Sequence, residues 1–492
     1  MRPASAKIDE LIQHRALYWG GDWHAPLSGN AFRSVDPANG ADLGDVPRGD
    51  AQDADRAIAA ARDGFEIWRH TPPQERARLL REAAQVIRSH AERIAYVDAA
   101  DGGNPISKVR SDVEIAAKRF DFFAGLITEL KGDTVPGRDG TLNLTTHEPV
   151  GVVARIVAFN HPFMFSASRL AAPLAAGNAC IIKPPEQASL SAMILAELIG
   201  PIFPPGVVSI LTGQGDLGAA LSRHRDVDMV TLVGSVPTGK VVMQAAAEML
   251  KPVVLELGGK NALIAYPDAD PEAVAEAMVD GMNFTWCGQS CGSTSRAFLH
   301  SDIHDAVLGH LARKIAKFRP GPPLADDTSM GCLIDAQQHQ RVLDYIEAGI
   351  AEGARLIHGG GVPDDDALAD GCFVDPTVFA DVTPDMRIAR EEIFGPVLSV
   401  LRWTDEPGML WDVNALPYGL TCAIWTESLQ TALRAAGEVR TGYVWINDVS
   451  KHIPGMPFGG VKQSGIGREE SLSELYAFTI EKALHVNFSG TR

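Results

Sequence analysis

Helical spacing of apolar residues dominates the early part of the chain. Between residues 50 and 131, alanines and leucines recur three and four positions apart, which is the spacing of an amphipathic α-helix. Gly132 interrupts this pattern. The sequence therefore predicts a helical region over 50–131.

Short β-branched runs replace the helical spacing from Leu142 onward. Four of them, separated by helix-like stretches, lie at 151–157, 179–182, 207–211 and 229–233. Strands that alternate with helices predict βαβ units and a parallel sheet. A second series follows Lys251 and predicts a second α/β domain, with runs at 252–255, 261–264, 297–299, 397–401 and 443–446.

Two further segments alternate between apolar and polar residues but fall outside both series. They lie at 141–146 and 482–488, and each has the pattern of an edge strand. Such strands expose unpaired backbone groups. We expect them to pair with each other or with another subunit.

Composition excludes several classes of protein. The 492 residues, 46% apolar and 22% charged, predict a globular chain of about three domains, or two large ones with an appendage. A net charge of −18 argues against nucleic acid or an anionic membrane as the main partner. Six scattered cysteines, no signal-peptide pattern and no convincing metal spacing predict a cytoplasmic protein with reduced thiols and no metal.

Two glycine-containing turns are candidate phosphate sites. Residues 213–218, which include Gly215, match the G-x-G-x-x-G pattern, but no acidic residue ends the next strand. The motif is weak by itself, and a tight strand-to-helix turn is the alternative. Gly234 and Ser235 stand where a strand runs into a helix, and a helix N-terminus suits an anion. Ser235 as a simple helix N-cap is the alternative there.

Cys291 and Glu256 are the candidate reactive groups. Cys291 lies among small polar residues on backbone that can present N–H donors beside a nucleophile. A buried, inert thiol is the alternative. Glu256 ends an apolar strand, where burial raises the pKa of a carboxyl and favours a general base. An ion pair with Lys260 is the alternative for Glu256.

These segments together resemble the NAD(P)-dependent aldehyde dehydrogenase superfamily over nearly the whole chain. The glutamate and cysteine signatures stand in family order with the segments 159–162, 182–186, 234–235, 391–397 and 457–469. The resemblance implies an α/β fold with two Rossmann-like parallel-sheet domains and a small β bridging or oligomerisation element. It implies an NAD-binding domain over 1–129 and 150–257, a catalytic domain over 258–470, and a bridging element from 130–149 and 471–492.

The resemblance also implies the chemistry. Cys291 would attack the aldehyde carbon to give a thiohemiacetal, whose oxyanion Asn160 and the Cys291 backbone N–H would stabilise. Hydride transfer to the nicotinamide would leave a thioester. Glu256 would activate the water that hydrolyses it to a carboxylate, and Glu469 would help relay protons. Retention of Glu256 favours hydrolysis over acyl transfer to coenzyme A.

By the same resemblance a set of residues holds the cofactor. Those for the ribose rings, pyrophosphate and nicotinamide are Lys183, Glu186, Gly234, Ser235, Glu392 and Phe394, with Phe159 and Gly215 beside them. A carboxylate at the adenosine ribose repels a 2′-phosphate. Glu186 therefore favours NAD over NADP.

The chain departs from the family pattern near the expected substrate. His161 replaces the aromatic residue that commonly follows the oxyanion asparagine, Val233 replaces a threonine, and Trp286 and Cys287 replace Asn and Gln. The candidate substrate pocket comprises His161, Phe165, Arg169, Trp286, His452 and Phe458. Its aromatic members favour an apolar or aromatic aldehyde, whereas Arg169, Lys451 and His452 suit an acidic semialdehyde.

Two other functions remain open from sequence alone. A cofactor-independent cysteine esterase would use Cys291, Asn160 and Glu256 without NAD, and a non-catalytic binding protein would use none of them. The family resemblance implies a homodimer or homotetramer, in which the bridging element adds a strand to a neighbouring subunit's sheet.

Overall fold

The computed structural model describes residues 4–488. The helices are α1 (Ala4–Leu11), α2 (Ala51–Trp68), α3 (Pro73–Ser89), α4 (Ala91–Gly102), α5 (Ile106–Leu126), α6 (Pro162–Ala176), α7 (Leu190–Ile199), α8 (Gly215–Arg223), α9 (Val236–Ala247), α10 (Pro271–Met282), α11 (Ser301–Ile315), α12 (Ala336–Ala351), α13 (Arg387–Arg390), α14 (Glu406–Asn414), α15 (Leu429–Glu438) and α16 (Leu472–Ala477). The strands are β1 (Leu17–Trp19), β2 (Asp22–His24), β3 (Ala31–Val35), β4 (Asp42–Pro47), β5 (Thr134–Val135), β6 (Thr141–Pro149), β7 (Val152–Ile156), β8 (Ala179–Lys183), β9 (Val208–Ile210), β10 (Met229–Gly234), β11 (Val253–Leu257), β12 (Ala262–Ala265), β13 (Arg296–His300), β14 (Arg355–His358), β15 (Thr377–Ala380), β16 (Val397–Trp403), β17 (Thr421–Trp425), β18 (Tyr443–Ile446), β19 (Gly465–Ile466) and β20 (Thr479–Asn487).

An eight-stranded sheet forms the first half of the molecule, in the order β19-β11-β10-β7-β8-β9-β1-β2. Strands β11, β10, β7, β8 and β9 are parallel, and antiparallel strands close both edges. All five residues of β8 are buried, as expected for a strand covered by helices on both faces. Because β11 pairs with β10, the expectation that its run opens the second series is wrong.

A seven-stranded sheet forms the second half, in the order β14-β15-β16-β13-β12-β17-β18. Its strands are parallel except for β14 at one edge. Helices alternate with these strands along the chain. The predicted α/β architecture with two mainly parallel sheets is therefore confirmed.

The two edge-strand segments pair with each other. Strands β6 and β20 form nine antiparallel pairs, from Thr479 opposite Pro149 to Asn487 opposite Thr141. Strand β5 adds two pairs to the other side of β6, which makes a three-stranded sheet. No helix within residues 4–488 has the length and apolar character needed to cross a membrane.

The parallel strands of the first sheet all end at the same edge of that sheet. The carboxyl ends of β7, β8 and β10 lie at the same edge of the first sheet, where ligands bind in open α/β sheets. Asn160 follows β7, Glu186 follows β8, and Gly234 ends β10. The fold thereby brings three predicted motifs together.

Candidate active site

One cavity of about 440 Å³ contains most of the predicted site. Its volume lies within the roughly 300–1,000 Å³ of small-molecule sites. Cys291, Glu256 and Asn160 line it together. The eight predicted cofactor residues line it as well, namely Phe159, Lys183, Glu186, Gly215, Gly234, Ser235, Glu392 and Phe394.

Cys291 lies in a loop that is held from the second sheet. The side-chain amide of Asn261 donates to the carbonyl of Cys291 at 2.7 Å and to that of Ser293 at 3.0 Å. Burial raises the pKa of the Cys291 thiol to about 12, and repulsion from the Glu256 carboxylate adds to this. Asn261 is therefore a positioning residue. The sequence analysis did not identify it, although it lies just after Gly258 and Gly259.

Asn160 is fixed by Asn104, which follows α4, and by the start of α6. It is 3% exposed, and its carbonyl accepts a hydrogen bond from the Asn104 side chain at 3.0 Å. Helix α6 begins two residues later at Pro162, a residue well suited to the first helical position. The Asp98 carboxylate accepts the Phe163 N–H at 3.0 Å. This cap sets where the helix starts and hence where Asn160 lies.

Glu256 is a buried carboxyl at the cavity. It is 6% exposed, and neither oxygen accepts a hydrogen bond from any described residue. Burial, followed by repulsion from Glu469, raises its pKa well above the usual range. Lys260 forms no ion pair with it, and burial lowers the pKa of that amine to about 7. The ion-pair interpretation of Glu256 is therefore wrong.

Glu469 lies outside the cavity lining, between two buried arginines. Its oxygens lie 2.9 Å from Arg155 Nη2 and 2.6 Å from Arg169 Nη2. Glu474 lies 3.7 Å from the same Arg155. Arg169 was expected among the substrate-pocket residues. Its guanidinium is bound to Glu469, and its place in the substrate pocket stays a prediction.

Gly234 and Ser235 lie at the N-terminus of α9. Ser235 Oγ accepts the Thr238 N–H at 3.3 Å, so Ser235 is the helix N-cap. Both residues also line the cavity, as does Gly215 at the start of α8. The cap interpretation and the binding interpretation of Ser235 are therefore compatible.

Lys183 and Glu186 extend from the end of β8 into the cavity. Lys183 Nζ donates to the Pro184 carbonyl at 3.1 Å. Burial lowers the pKa of this amine to about 8. Glu186 is half-buried, so its carboxylate can face a polar ligand and solvent.

Glu392 and Phe394 reach the cavity from the second sheet's side. Glu392 Oε1 accepts the Gly259 N–H at 2.9 Å, and burial raises the pKa of its carboxyl. Phe394 has a left-handed φ of +58° and lies edge-on to Phe159, with centroids 5.7 Å apart. The strained backbone at Phe394 places its ring in the cavity.

Helix α12 contributes two residues that sequence reasoning missed. Gln338 Nε2 donates to the carbonyls of Ile393 and Phe394, at 3.0 and 2.8 Å. Arg341 Nη2 donates to the Glu392 carbonyl at 2.7 Å. Both residues line the cavity. No motif surrounds them, so only the fold reveals their role.

None of the six candidate substrate residues is among the described residues that line this cavity. His161, Phe165 and Trp286 form one aromatic group, in which His161 lies 4.5 Å from Trp286 and 5.4 Å from Phe165 between centroids. His452 and Phe458 form another, 4.5 Å apart.

Across residues 4–488, no set of three or more His, Cys, Asp or Glu side chains is arranged to hold a metal ion. His300 instead caps α11 by accepting the Asp302 N–H, and His304 contacts Asp305. The i, i+4 pair of histidines therefore has structural partners.

Known proteins match the chain over nearly its full length. The aldehyde dehydrogenase family matches residues 23–484. Aldehyde dehydrogenase tropH of Talaromyces stipitatus is 48% identical, covering 100% of this chain and 97% of its own. An NAD+ complex of aldehyde dehydrogenase from Bacillus cereus is 37% identical, with a TM-score of 0.94 and 99% of each chain covered.

A third similar protein is the indole-3-acetaldehyde dehydrogenase AldA of P. syringae, solved in complex with NAD+ and IAA. It is 35% identical, with a TM-score of 0.95, and the match covers 98% of this chain and 99% of that one. Matches of this length and identity, on a site with this geometry, establish the family. The chain belongs to the aldehyde dehydrogenase family.

Proposed function

We propose that the protein oxidises an aldehyde to a carboxylate, with NAD as the cofactor. The observation that carries this proposal is that Cys291, Glu256 and Asn160 line one cavity with all eight predicted cofactor residues. A nucleophile, a base and an oxyanion donor in one site are what thioester chemistry requires.

The cavity fits a dinucleotide. The N-terminus of α9 offers free N–H groups and a positive dipole end to a pyrophosphate, and Gly234 allows close approach. Glu186 and Glu392 supply acceptors for ribose hydroxyls. The similar proteins from Bacillus cereus and P. syringae are described in complex with NAD+. Glu186 favours NAD over its 2′-phosphorylated form.

Cys291 begins the reaction. The thiol first loses its proton to solvent, the thiolate sulfur then forms a bond to the aldehyde carbon, and the carbonyl oxygen becomes an oxyanion. Asn160 and the Cys291 N–H stabilise that oxyanion. Bound NAD supplies the chemistry of a hydride acceptor. Loss of hydride from the carbon leaves a thioester on Cys291.

Glu256 completes the reaction as a general base. A buried carboxylate whose pKa is raised is a stronger base than one in water. It takes a proton from the water that attacks the thioester carbon. The carbon–sulfur bond then breaks, the carboxylic acid leaves, and the Cys291 thiolate is regenerated.

The test uses a panel of aliphatic, aromatic and carboxylated aldehydes with NAD or NADP. We expect reduced cofactor from the parent protein and none from Cys291→Ala, which should still bind NAD. Glu256→Gln should release about one equivalent of reduced cofactor and then stop at the thioester.

Ester cleavage without NAD, and unaffected by Glu186→Ala, would instead identify a cofactor-independent esterase. A protein that neither turns over aldehydes nor binds NAD would be a non-catalytic relative.

We also propose that the protein is a cytoplasmic homodimer or homotetramer. Strand β20 lies at an edge of the three-stranded sheet and pairs only with β6 among the described residues. Its other edge can pair with a strand of a second copy. Light scattering coupled to size-exclusion chromatography measures the mass, and a monomer at micromolar concentration would contradict this assembly.

A further inference from the structure

His161 has a partner that fixes its chemistry. Its Nδ1 lies 2.7 Å from Asp112 Oδ2, and Asp112 is 3% exposed on α5. A carboxylate accepts and does not donate, so Nδ1 carries the proton in this contact. In a neutral imidazole the other nitrogen, Nε2, is then an acceptor.

The His161 ring lies in an aromatic group and is adjacent in sequence to Asn160, the predicted oxyanion donor. His161 directly follows Asn160, and its ring centroid lies 4.5 Å from that of Trp286, five residues before Cys291. Phe165, one turn along α6, lies edge-on at 5.4 Å. The His161 side chain is 14% exposed and Trp286 is half-buried. The group therefore offers aromatic surface without being sealed inside the core.

The three basic side chains that suit a substrate carboxylate each have a carboxylate of the protein as their partner. Arg169 lies 2.6 Å from Glu469, His452 lies 3.1 Å from Glu470, and Lys451 lies 3.1 Å from Asp448. Arg119 also contacts Glu470, at 2.6 Å. A carboxylated aldehyde would have to displace one of these partners, whereas a neutral aldehyde would not.

We propose that His161, oriented by Asp112, recognises a ring hydroxyl, so that the preferred substrates are hydroxylated aromatic aldehydes. The hydroxyl donates to Nε2, while Trp286 and Phe165 pack against the ring. This inference rests on the proposed function, since it names the substrate class of the same site. His161 and Asp112 are specificity-determining residues in this proposal.

The test compares meta-hydroxybenzaldehyde with meta-methylbenzaldehyde, which is of similar size, at about pH 8, where an ordinary imidazole is neutral and a meta-phenol keeps its proton. We expect kcat/KM to favour the hydroxyl compound about tenfold, the effect of one buried hydrogen bond. In His161→Phe, kcat/KM for the hydroxyl compound should fall to about the value for the methyl compound, while turnover of methylbenzaldehyde persists. Asp112→Ala should lower the preference as well, because the imidazole tautomer is no longer fixed.

His310→Phe on α11 is the matched control, since it makes the same substitution away from these rings. Its hydroxyl preference should equal that of the parent protein. An undiminished preference in His161→Phe would overturn the inference, and so would an equal loss of kcat for every aldehyde, which would indicate a role in the chemistry. A preference for carboxybenzaldehyde would also overturn it. If no aldehyde reduces NAD at all, the proposed function itself fails, and that result is distinct from the other three.

Discussion

At the scale of single residues, the reactive groups carry pKa values displaced by burial. Burial and the neighbouring Glu469 raise the pKa of Glu256, and burial raises that of Cys291. An acid whose pKa is raised keeps its proton to a higher pH. The carboxylate form of Glu256, which is the base, is therefore lost as pH falls through the raised pKa.

This displacement predicts the pH dependence of turnover. Steady-state kcat should fall as the pH is lowered from 9 toward 6, because the fraction of Glu256 able to accept a proton decreases. Stopped-flow measurement of the first equivalent of reduced NAD separates the acylation step from hydrolysis. A hydrolysis rate that is constant over this range would contradict a buried base.

Gly258 gives a second prediction at this scale. A Cβ built on Gly258 overlaps the Glu392 carboxylate, and Glu392 is a proposed ribose ligand. Gly258→Ala should displace that carboxylate and raise the KM for NAD about tenfold or more, with a smaller effect on the KM for aldehyde. Gly309→Ala on α11 is the control, because its added methyl group meets open space and Gly309 does not line the cavity.

Residues that a motif surrounds were predicted to lie near one another, and these residues do line one cavity. Cys291, Glu256 and Asn160 lie together, as do the cofactor residues. Asp112, Arg155 and Gln338 were missed because each acts on a residue far away in sequence, such as the 49 positions between Asp112 and His161. Periodicity says which face of a helix is buried, but not which partner a polar side chain will meet.

At the scale of elements, the sequence predicted where strands occur along the chain more accurately than it predicted which sheet each strand joins. The β-branched runs correspond to β7 through β13, β16 and β18, yet β11 belongs to the first sheet and not to the second. A run of apolar residues predicts burial, but its neighbours depend on contacts distant in sequence. Strands β1, β2 and β19 are two or three residues long, too short to give a pattern.

The start of α9 gives a prediction at this scale. Ser235→Ala removes the N-cap hydrogen bond to Thr238 and should lower the free energy of unfolding by about 1 kcal/mol. It should also weaken NAD binding, because the same helix end faces the cavity. Ser428→Ala, which removes the corresponding cap of α15, should cost similar stability and leave NAD binding unchanged. Denaturant titration and NAD fluorescence titration measure the two effects.

At the scale of the whole molecule, a buried ion network joins the C-terminal region to the first sheet. Arg155 on β7 and Arg169 on α6 both contact Glu469, and Arg155 also lies near Glu474 on α16. The Arg155 and Glu469 side chains are each 1% exposed. Removing one member leaves its partners charged and buried.

Glu469→Gln should therefore lower the free energy of unfolding by about 3–5 kcal/mol. Glu148→Gln, which breaks the exposed pair with Lys482, should cost about 0–1 kcal/mol. Thermal and denaturant unfolding of the two variants makes the comparison. Equal stability of the two would show that the buried network is not a stabilising element.

The pairing of β6 with β20 has a consequence for biosynthesis. His147 meets Thr479, which emerges from the ribosome 332 positions later. At about 5–20 residues per second this is a delay of roughly 17–66 seconds. During that interval one side of β6 has no partner strand. A nascent chain that stops after Phe478 lacks β20, so this side of β6 remains unpaired. Completion of this small sheet therefore waits for the synthesis of β20.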